Sequence, residues 1–557
     1  MIDSTLPRCP GVRLALAGLA LLSFPALPAD AQWTFTDVTA TAGVGLVHEL
    51  RFGFSSELDM MSGGAAGGDL DRDGDIDLVL LRGNAAPARV LLNQGNGVFT
   101  PGSQISFPLT GDFDGPNGLS LADVDGDGDL DLLTGGFNGF QPRLYLNDGN
   151  AAFTDATAGS GISTTRAATW SAAFGDYDGD GRLDLFLGHW NRDLGGGEHL
   201  WRNLGGGQFQ DVGAAAGVDA PFAVKDHTFT PVFTDIDNDG DADLVVSADF
   251  NNSQVFKNRG DGTFETVTDE AVITDENGMG VAVGDYDNDG DLDWFVSSIW
   301  DPDQDNNGQF WGVTGNRLYR NDGTGVFSDV TTEAGVRIGF WGWGSCFEDL
   351  DLDGDLDLLH VNGMPAAQSP EFHADPTRLF VNNGDGTFAE QSAALGIVET
   401  GQGRGVVCAD FDGDGDADLL LNNNGTATRL YRNDPLPGNH YLKVRLAGEA
   451  PNTWGIGAKV WLTTAAGTQL REIRAGNNFL SSNPSEALFG LGAATVADTV
   501  RVVWPGGGET VLRSVVADQT LVISQIEFEG VDVPIGGWGL AGLAALLALA
   551  GLFLLRR

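Results

Sequence analysis

The sequence predicts an all-β protein built by repetition, and three observations carry that expectation. An acidic loop of fixed grammar, first met as D-L-D-R-D-G-D-I-D at Asp69 to Asp77, returns at Asp123, Asp176, Asp235, Asp285, Asp349 and Asp410. Each copy is followed by an apolar run such as L-V-L-L or L-F-L-G, which reads as a strand rather than a helix. A further segment of the form L-Y-x-N then leads through a Gly-rich turn to a segment like F-x-D-V-T. Repeats at a period of roughly 50–64 residues mean solenoids, propellers or arrays.

Four short strands fall in each period: one before the loop, one after it, the L-Y-x-N strand and the F-x-D-V-T strand. Leu144 to Asn147, Leu318 to Asn321 and Leu430 to Asn433 show the third, and Phe35 to Thr39, Phe153 to Thr157 and Phe327 to Thr331 the fourth. Four-stranded units arranged radially make a propeller, which leaves only short, protected edges. The expected fold is therefore a seven-bladed β-propeller over 32–434, followed by a small all-β domain. The phase of the repeat adds a detail, because the chain opens on a fourth strand, Trp33 to Thr39, and the last unit lacks one. Pairing those two ends would close the ring.

The loops carry the chemistry. Position 3 is Asp71, Asp125, Asp178, Asp237, Asp287, Asp351 and Asp412, and position 5 is Asp73, Asp127, Asp180, Asp239, Asp289, Asp353 and Asp414. Position 9 is Asp77, Asp131, Asp184, Asp243, Asp293, Asp357 and Asp418, and Gly stands at position 6. Calcium takes six to eight oxygens at about 2.3–2.6 Å, and alternate side chains of a tight loop supply them. The first half matches an EF-hand loop, but no Glu follows at position 12. About seven calcium ions are the expected cofactors. Asp and Gly also dominate plain surface turns, yet uncompensated carboxylates crowded into seven turns would repel one another.

Composition excludes one class of partner. The 557-residue chain has a formal net charge of -48, and nucleic acid binding needs a basic footprint. Of its three cysteines, Cys9 lies in the leader, while Cys346 and Cys408 stand three and two residues before their Asp loops. On a strand those offsets point to opposite faces, which favours buried thiols over a disulfide.

The ends read as processing segments. Residues 1–31 hold Arg8, Arg13, an apolar run from Leu14 and the small-residue site Ala29-Asp30-Ala31, as a secretory signal peptide does. Pro435 to Gly438 reads as a linker. Residues 439–527 alternate as strands at Tyr441 to Leu446, Ala458 to Thr464, Gln469 to Arg474, Thr499 to Trp504 and Gln519 to Ile523. The tail, 528–557, joins an apolar run from Leu540 to Leu555 to Arg556-Arg557, slightly short for a stable membrane span.

Insertions at Gly188 to Glu198, Asp219 to Thr230, Ser298 to Asn316 and Val361 to Thr377 bring in His189, Trp190, His227, Trp300, Trp311 and His373. Insertions in repeat proteins map to loops, often on a binding face, though the aromatics could equally pack on neighbouring blades. Arg259-Gly260-Asp261 spells R-G-D, but its Gly and Asp belong to the repeat pattern, and chance explains the tripeptide.

These residues carry a resemblance. The repeats resemble the FG-GAP or VCBS type of integrin α-subunit propellers. The segments N-H-Y-L-K-V at Asn439, G-I-G-A-K-V at Gly455, R-E-I-R at Arg471, F-G-L-G at Phe489 and V-V-W-P-G-G at Val502 resemble the ASPIC/UnbV domain. Their pairing is similar to that in bacterial relatives of cartilage acidic protein. The tail, V-P-I-G-G-W-G before its apolar run, resembles the tripartite sorting signals of Gram-negative bacteria. The resemblance implies a secreted, calcium-binding propeller associated with surfaces or extracellular matrix, its tail cleaved or held in the membrane, and no known reaction.

Three functions follow as expectations. The first is a non-enzymatic adhesion or matrix-binding protein with an extracellular protein or glycan ligand and structural calcium in each blade. The second is a lectin using Trp190, Trp300, Trp311, Trp341 and Trp343 as stacking platforms. The third is a polysaccharide lyase or hydrolase, for which Glu198 with His199, Asp226 with His227 and Glu371 with His373 are the candidate pairs. The sequence has no nucleophile motif, zinc signature or phosphate loop, so an enzyme is not expected.

Overall fold

The computed structural model describes residues 33–51, 53, 57–109, 114–137, 139–163, 168–190, 199–218, 227–302, 311–434 and 437–525. The expected signal peptide, the C-terminal tail, much of the inserted stretches, and Glu198 and Asp226 with them, lie outside the described residues.

The strands of the repeat region form four-stranded antiparallel units. In the second, Gly115–Ala122 pairs with Asp131–Phe137, that strand with Arg143–Asn147, and that with Phe153–Asp155. The innermost strands of successive units are Ala65–Gly68, Gly115–Ala122, Thr169–Gly175, Thr228–Thr234, Val281–Gly284, Gly342–Glu348 and Gln402–Ala409. Each touches the next, and Gln402–Ala409 returns to Ala65–Gly68. That cycle makes the array a propeller. Apolar side chains on both faces of these strands fill the space between units, so every residue of the innermost strands but Glu348 is buried. Outermost strands such as Phe153–Asp155 are largely exposed.

The chain's first strand, Thr34–Asp37, supplies the outer strand of the last unit, with Phe35 opposite Asn433 and Asp37 opposite Tyr431. The ring is thus closed by pairing residues from its two ends, as the phase of the repeat implies. After four of the outer strands the D-V-T-like segment makes one helical turn, as at Thr39–Ala42 and Thr331–Ala334. The Asp of F-x-D accepts the N–H two residues on, as Asp37 does from Thr39 at 3.0 Å. A left-handed glycine then ends the turn, Gly43 at φ 79°.

Cys346 and Cys408 form a disulfide with 7.0 Å between their Cα atoms, which corrects the expectation of two thiols. Opposite faces separate two cysteines on one strand, but these two lie on different blades. Cys346 and Cys408 sit on the innermost strands of adjacent units. Facing forward from one blade and backward from the next is what brings opposite faces together. Phe347, next to Cys346, packs the other way, against Ala282 and Tyr286.

The C-terminal part holds two sheets. Glu486–Gly492, His440–Ala447 and Gln519–Ser524 form one, and Thr468–Glu472, Lys459–Thr463, Val496–Val503 and Glu509–Val516 the other. Leu442, Val444, Leu462, Phe489, Val500 and Val502 close between them with no exposure. A segment from Ala475 to Ser482 leaves this domain and enters the propeller. Ser481 and Ser482 pair in parallel with Ala65 and Ala66, Asn478 accepts from Ser345 N at 3.0 Å and donates to Val406 O, and Leu480 N donates to Ser171 Oγ. Leu119 N donates to Leu480 O. Phe479, wholly buried, meets Trp343 at 5.3 Å and Phe229 at 5.6 Å between ring centroids. These contacts reach the innermost strands of six units, which places Phe479 on the axis. Arg404 lies over Trp343, 4.3 Å from its centroid, and donates to the carbonyls of Met60, Gly363 and Gly403.

Candidate metal centres

Each acidic loop joins an innermost strand to the second strand of its unit, and the same hydrogen bonds build all of them. The position 1 carboxylate accepts the N–H of the position 6 glycine at 2.8–3.2 Å in every copy, from Asp69 with Gly74 to Asp410 with Gly415. That glycine has positive φ, 97° at Gly74 and 108° at Gly354, a conformation a side chain would resist. The position 5 carboxylate accepts the N–H of position 7 at 2.9–3.4 Å.

Position 9 does more than the spacing implied. One oxygen accepts the N–H of position 2 at 3.0–3.3 Å, as Asp77 does from Leu70. The other accepts the N–H of the L-Y-x-N asparagine at 2.6–3.0 Å. Asp77, Asp131, Asp184, Asp243, Asp293, Asp357 and Asp418 therefore brace their units, and Asp77 and Asp184 also belong to the carboxylate clusters.

Three of the carboxylates come together in each cluster, with candidate ligand oxygens within 4.8 Å of one another: Asp69, Asp71 and Asp77; Asp123, Asp125 and Asp127; Asp176, Asp178 and Asp184; Asp235, Asp237 and Asp239; Asp285, Asp287 and Asp289. Burial, with neighbouring aspartates adding to it, pushes the Asp77 carboxyl up to about 7 and those of Asp131, Asp184 and Asp243 up to about 8. Asp349, Asp357 and Asp418 are likewise held well above the usual range by burial.

The donor set fits a hard cation. Oδ1 of Asp71, Asp125, Asp178, Asp237 and Asp287, all at position 3, is buried with no hydrogen-bond donor, and so is Oδ1 of Asp69, Asp285 and Asp349 at position 1. A buried carboxylate oxygen left without a partner is costly. Oxygen-only ligation at alternate loop positions is the chemistry of calcium rather than zinc or copper.

The loop face is not open water. The C-terminal domain lies on it: Lys443 Nζ is 2.7 Å from Asp410 Oδ2, Lys459 Nζ 2.9 Å from Asp235 Oδ2, Gly490 N donates to Asp349 at 2.8 Å, and Thr453 donates to Asp123. No spacing in the loops announced this cover. The asparagine of L-Y-x-N was also missed, although a polar residue of fixed identity ending a buried strand in every unit was the available signal.

Of the other predicted residues, Trp190, Trp311, Trp341 and Trp343 gather in or against one aromatic cluster. Trp341 and Trp343 are buried and pack in the axis instead of lining a platform. Trp190, half-buried, donates to Asp249 Oδ2 at 3.1 Å and meets His227 edge-on. His373 Nδ1 lies 3.2 Å from Gln402 Nε2. Arg259 pairs with Glu265, and Asp261 accepts from Thr263, so the R-G-D turn is tied to its own blade.

Fold and loops together define a β-propeller of acidic, cation-type loops capped by a second β domain. The chain carries FG-GAP-like repeats followed by an ASPIC and UnbV domain. The FG-GAP-like repeat model matches residues 69–134, 136–187, 235–296 and 372–421, and the ASPIC and UnbV model matches residues 448–529. Cartilage acidic protein 1 of Mus musculus is 26% identical over 523 residues, 85% of this chain and 75% of that protein. The Homo sapiens protein is 26% identical over 567 residues, 93% of this chain and 79% of its own. Among solved structures, YCF48 bound to D1 peptide aligns at a TM-score of 0.40 with 9% identity, covering 75% of this chain and 100% of that one.

Proposed function

We propose that this protein is an exported, surface-associated propeller that binds an extracellular protein or glycan, with calcium serving as a structural ion in its acidic loops. The observation that carries the reading is the set of buried loop carboxylate oxygens with no donor. Similarity to cartilage acidic protein 1 supports the extracellular setting. The reading is non-enzymatic. Membrane attachment through the tail belongs to the same proposal, although 540–555 lies outside the described residues, among which no helix is long and apolar enough to cross a membrane.

The ligand face in this reading is the end away from the loops. Innermost and second strands meet the loop at Gly175 with Asp184 and at Thr234 with Asp243, and they meet the inserted stretches at their other ends, Thr169 with His189 and Thr228 with Ala248. On that end Phe250 is 52% exposed at φ 60°, and its ring stands 4.9 Å from that of His227, beside Trp190. A bulky residue in the left-handed region is a strained conformation that gathers at binding sites. This aromatic edge favours a sugar as the second reading, since rings of that kind stack on sugar faces.

The test is thermal unfolding of the full chain with metal content by mass spectrometry, before and after chelation and with calcium or magnesium restored. Bound calcium near seven ions, and a sharp fall in Tm on its removal, supports the reading. Little metal and an unmoved Tm would reduce the loops to turns.

A further inference from the structure

The loops share one grammar, but they do not share one charge environment. In the fourth, Lys459 Nζ stands 2.9 Å from Asp235 Oδ2 at position 1 and donates to Asn238 Oδ1 at 2.7 Å. Lys257, on the L-Y-x-N-type strand Gln254–Asn258 of the same unit, pairs with Asp237 Oδ2 at position 3 and lies 3.8 Å from Asp239 Oδ2 at position 5. Two ammonium groups, one from each domain, thus sit on the carboxylates of one loop.

The sixth loop is the opposite case. Asp349, Asp351, Asp353 and Asp357 form no ion pair with Lys or Arg within 4 Å among the described residues, Arg471 of the C-terminal domain acting on Asp349 only from beyond that distance, and Val381 stands where the fourth unit has Lys257. Asp349 is wholly buried, and its Oδ1 has no donor.

Affinity of an oxygen site for calcium follows the charge its ligands present. An ammonium on a ligand carboxylate cancels part of that charge and repels the incoming ion. We infer that the fourth loop is charge-compensated by Lys257 and Lys459, as the third is by Arg182 and Arg202 on Asp178 and Asp180, and that it binds calcium less tightly than the sixth loop. The inference rests on the calcium reading above and ranks two of its sites. It makes Lys257 and Lys459 affinity-setting residues, and it ties the fourth loop to the docked C-terminal domain, because Lys459 reaches Asp235 only from there.

The test is a calcium titration of the full chain by native mass spectrometry, with the occupancy of each loop read by anomalous diffraction at limiting calcium. At a calcium level that fills the sixth loop, the fourth should be largely empty and should fill at about tenfold higher calcium. In the Lys257→Gln, Lys459→Gln double variant the fourth loop should fill about tenfold earlier. Lys257→Gln alone, which leaves the domain contact untouched, should move it in the same direction, so the test survives if the double variant does not fold. Equal filling of both loops in the wild type, or no shift in either variant, overturns the inference and leaves the calcium reading standing. Absence of calcium from every loop would remove that reading and this one with it.

Discussion

Asn93 donates from Nδ2 to the carbonyl of Phe411, 2.7 Å away and 318 residues further along the chain. Phe411 is position 2 of the last acidic loop, so this bond staples the first unit to the last. The same asparagine also donates to Ile76 O in its own loop. Every unit repeats the pattern: Asn147 reaches Leu70, Asn203 reaches Val124, Asn258 reaches Tyr177, Asn321 reaches Ile236, Asn382 reaches Tyr286 and Asn433 reaches Leu350. The final residue of L-Y-x-N is therefore the bond between neighbouring blades.

Replacement of one staple should be expensive. Asn321→Leu keeps the number and branching of side-chain heavy atoms but leaves Ile236 O and Leu292 O without their side-chain donor. At about 1–3 kcal/mol for each buried group left unsatisfied, a loss of about 2–6 kcal/mol is expected. Urea unfolding in saturating calcium measures it. A loss below about 0.5 kcal/mol would mean that these carbonyls do not depend on Asn321.

The disulfide should act as a second clasp on the ring. It closes a chain separation of 62 residues between the sixth and seventh units, and the chain-entropy relation gives about 4 kcal/mol for a loop of that length. Cys346→Ala with Cys408→Ala should lower the urea midpoint accordingly, and a reducing agent should lower the wild type but not the variant. If both respond to the reductant alike, another effect is being read.

Much of this architecture was legible because repetition multiplies a weak signal. A single Asp-Gly turn says little, but the same spacing in seven places gives the loops, the strands beside them and the closing strand Thr34–Asp37. What escaped was contact between units. The role of Asn93 depends on a carbonyl 318 residues away, and the Cys346 to Cys408 pairing depends on two blades facing each other. The C-terminal domain was read less completely. Glu509–Val516 was missed because most of its side chains are exposed, with little apolar patterning to mark it. Ser481–Ser482 is a strand only by virtue of Ala65–Ala66 in the propeller.

Phe479 makes the dependence of the propeller on its cap measurable. Its ring is buried among Trp343, Phe229 and Trp170 on the axis, in a segment that touches six units. Phe479→Ala should cost about 3–5 kcal/mol through lost burial and the cavity left behind. Because the segment belongs to the C-terminal domain, limited proteolysis between the domains should also accelerate. Lost stability without faster cleavage would mean that the cap stays docked by its loop contacts, among them Lys443 with Asp410.

His360 should set part of the acid limit of stability. Wholly buried, it stacks between Phe295 and Phe380, with Nε2 3.1 Å from Asn316 Nδ2 and Arg378 paired across the sheet. Burial first, and the Arg378 charge second, lowers its pKa from 6.5 to about 3. The folded state therefore holds the neutral ring while the unfolded chain takes up a proton. Stability is full above pH 6.5 and is lost as pH falls from there toward 3, by an amount of order 4 kcal/mol. His360→Phe removes this contribution while leaving the carboxylates of the loops in place. The variant should be less stable than the wild type at pH 7, where Asn316 loses its partner, and the gap should narrow steadily toward pH 4 in urea unfolding. Parallel curves over that range would show that His360 carries no proton linkage.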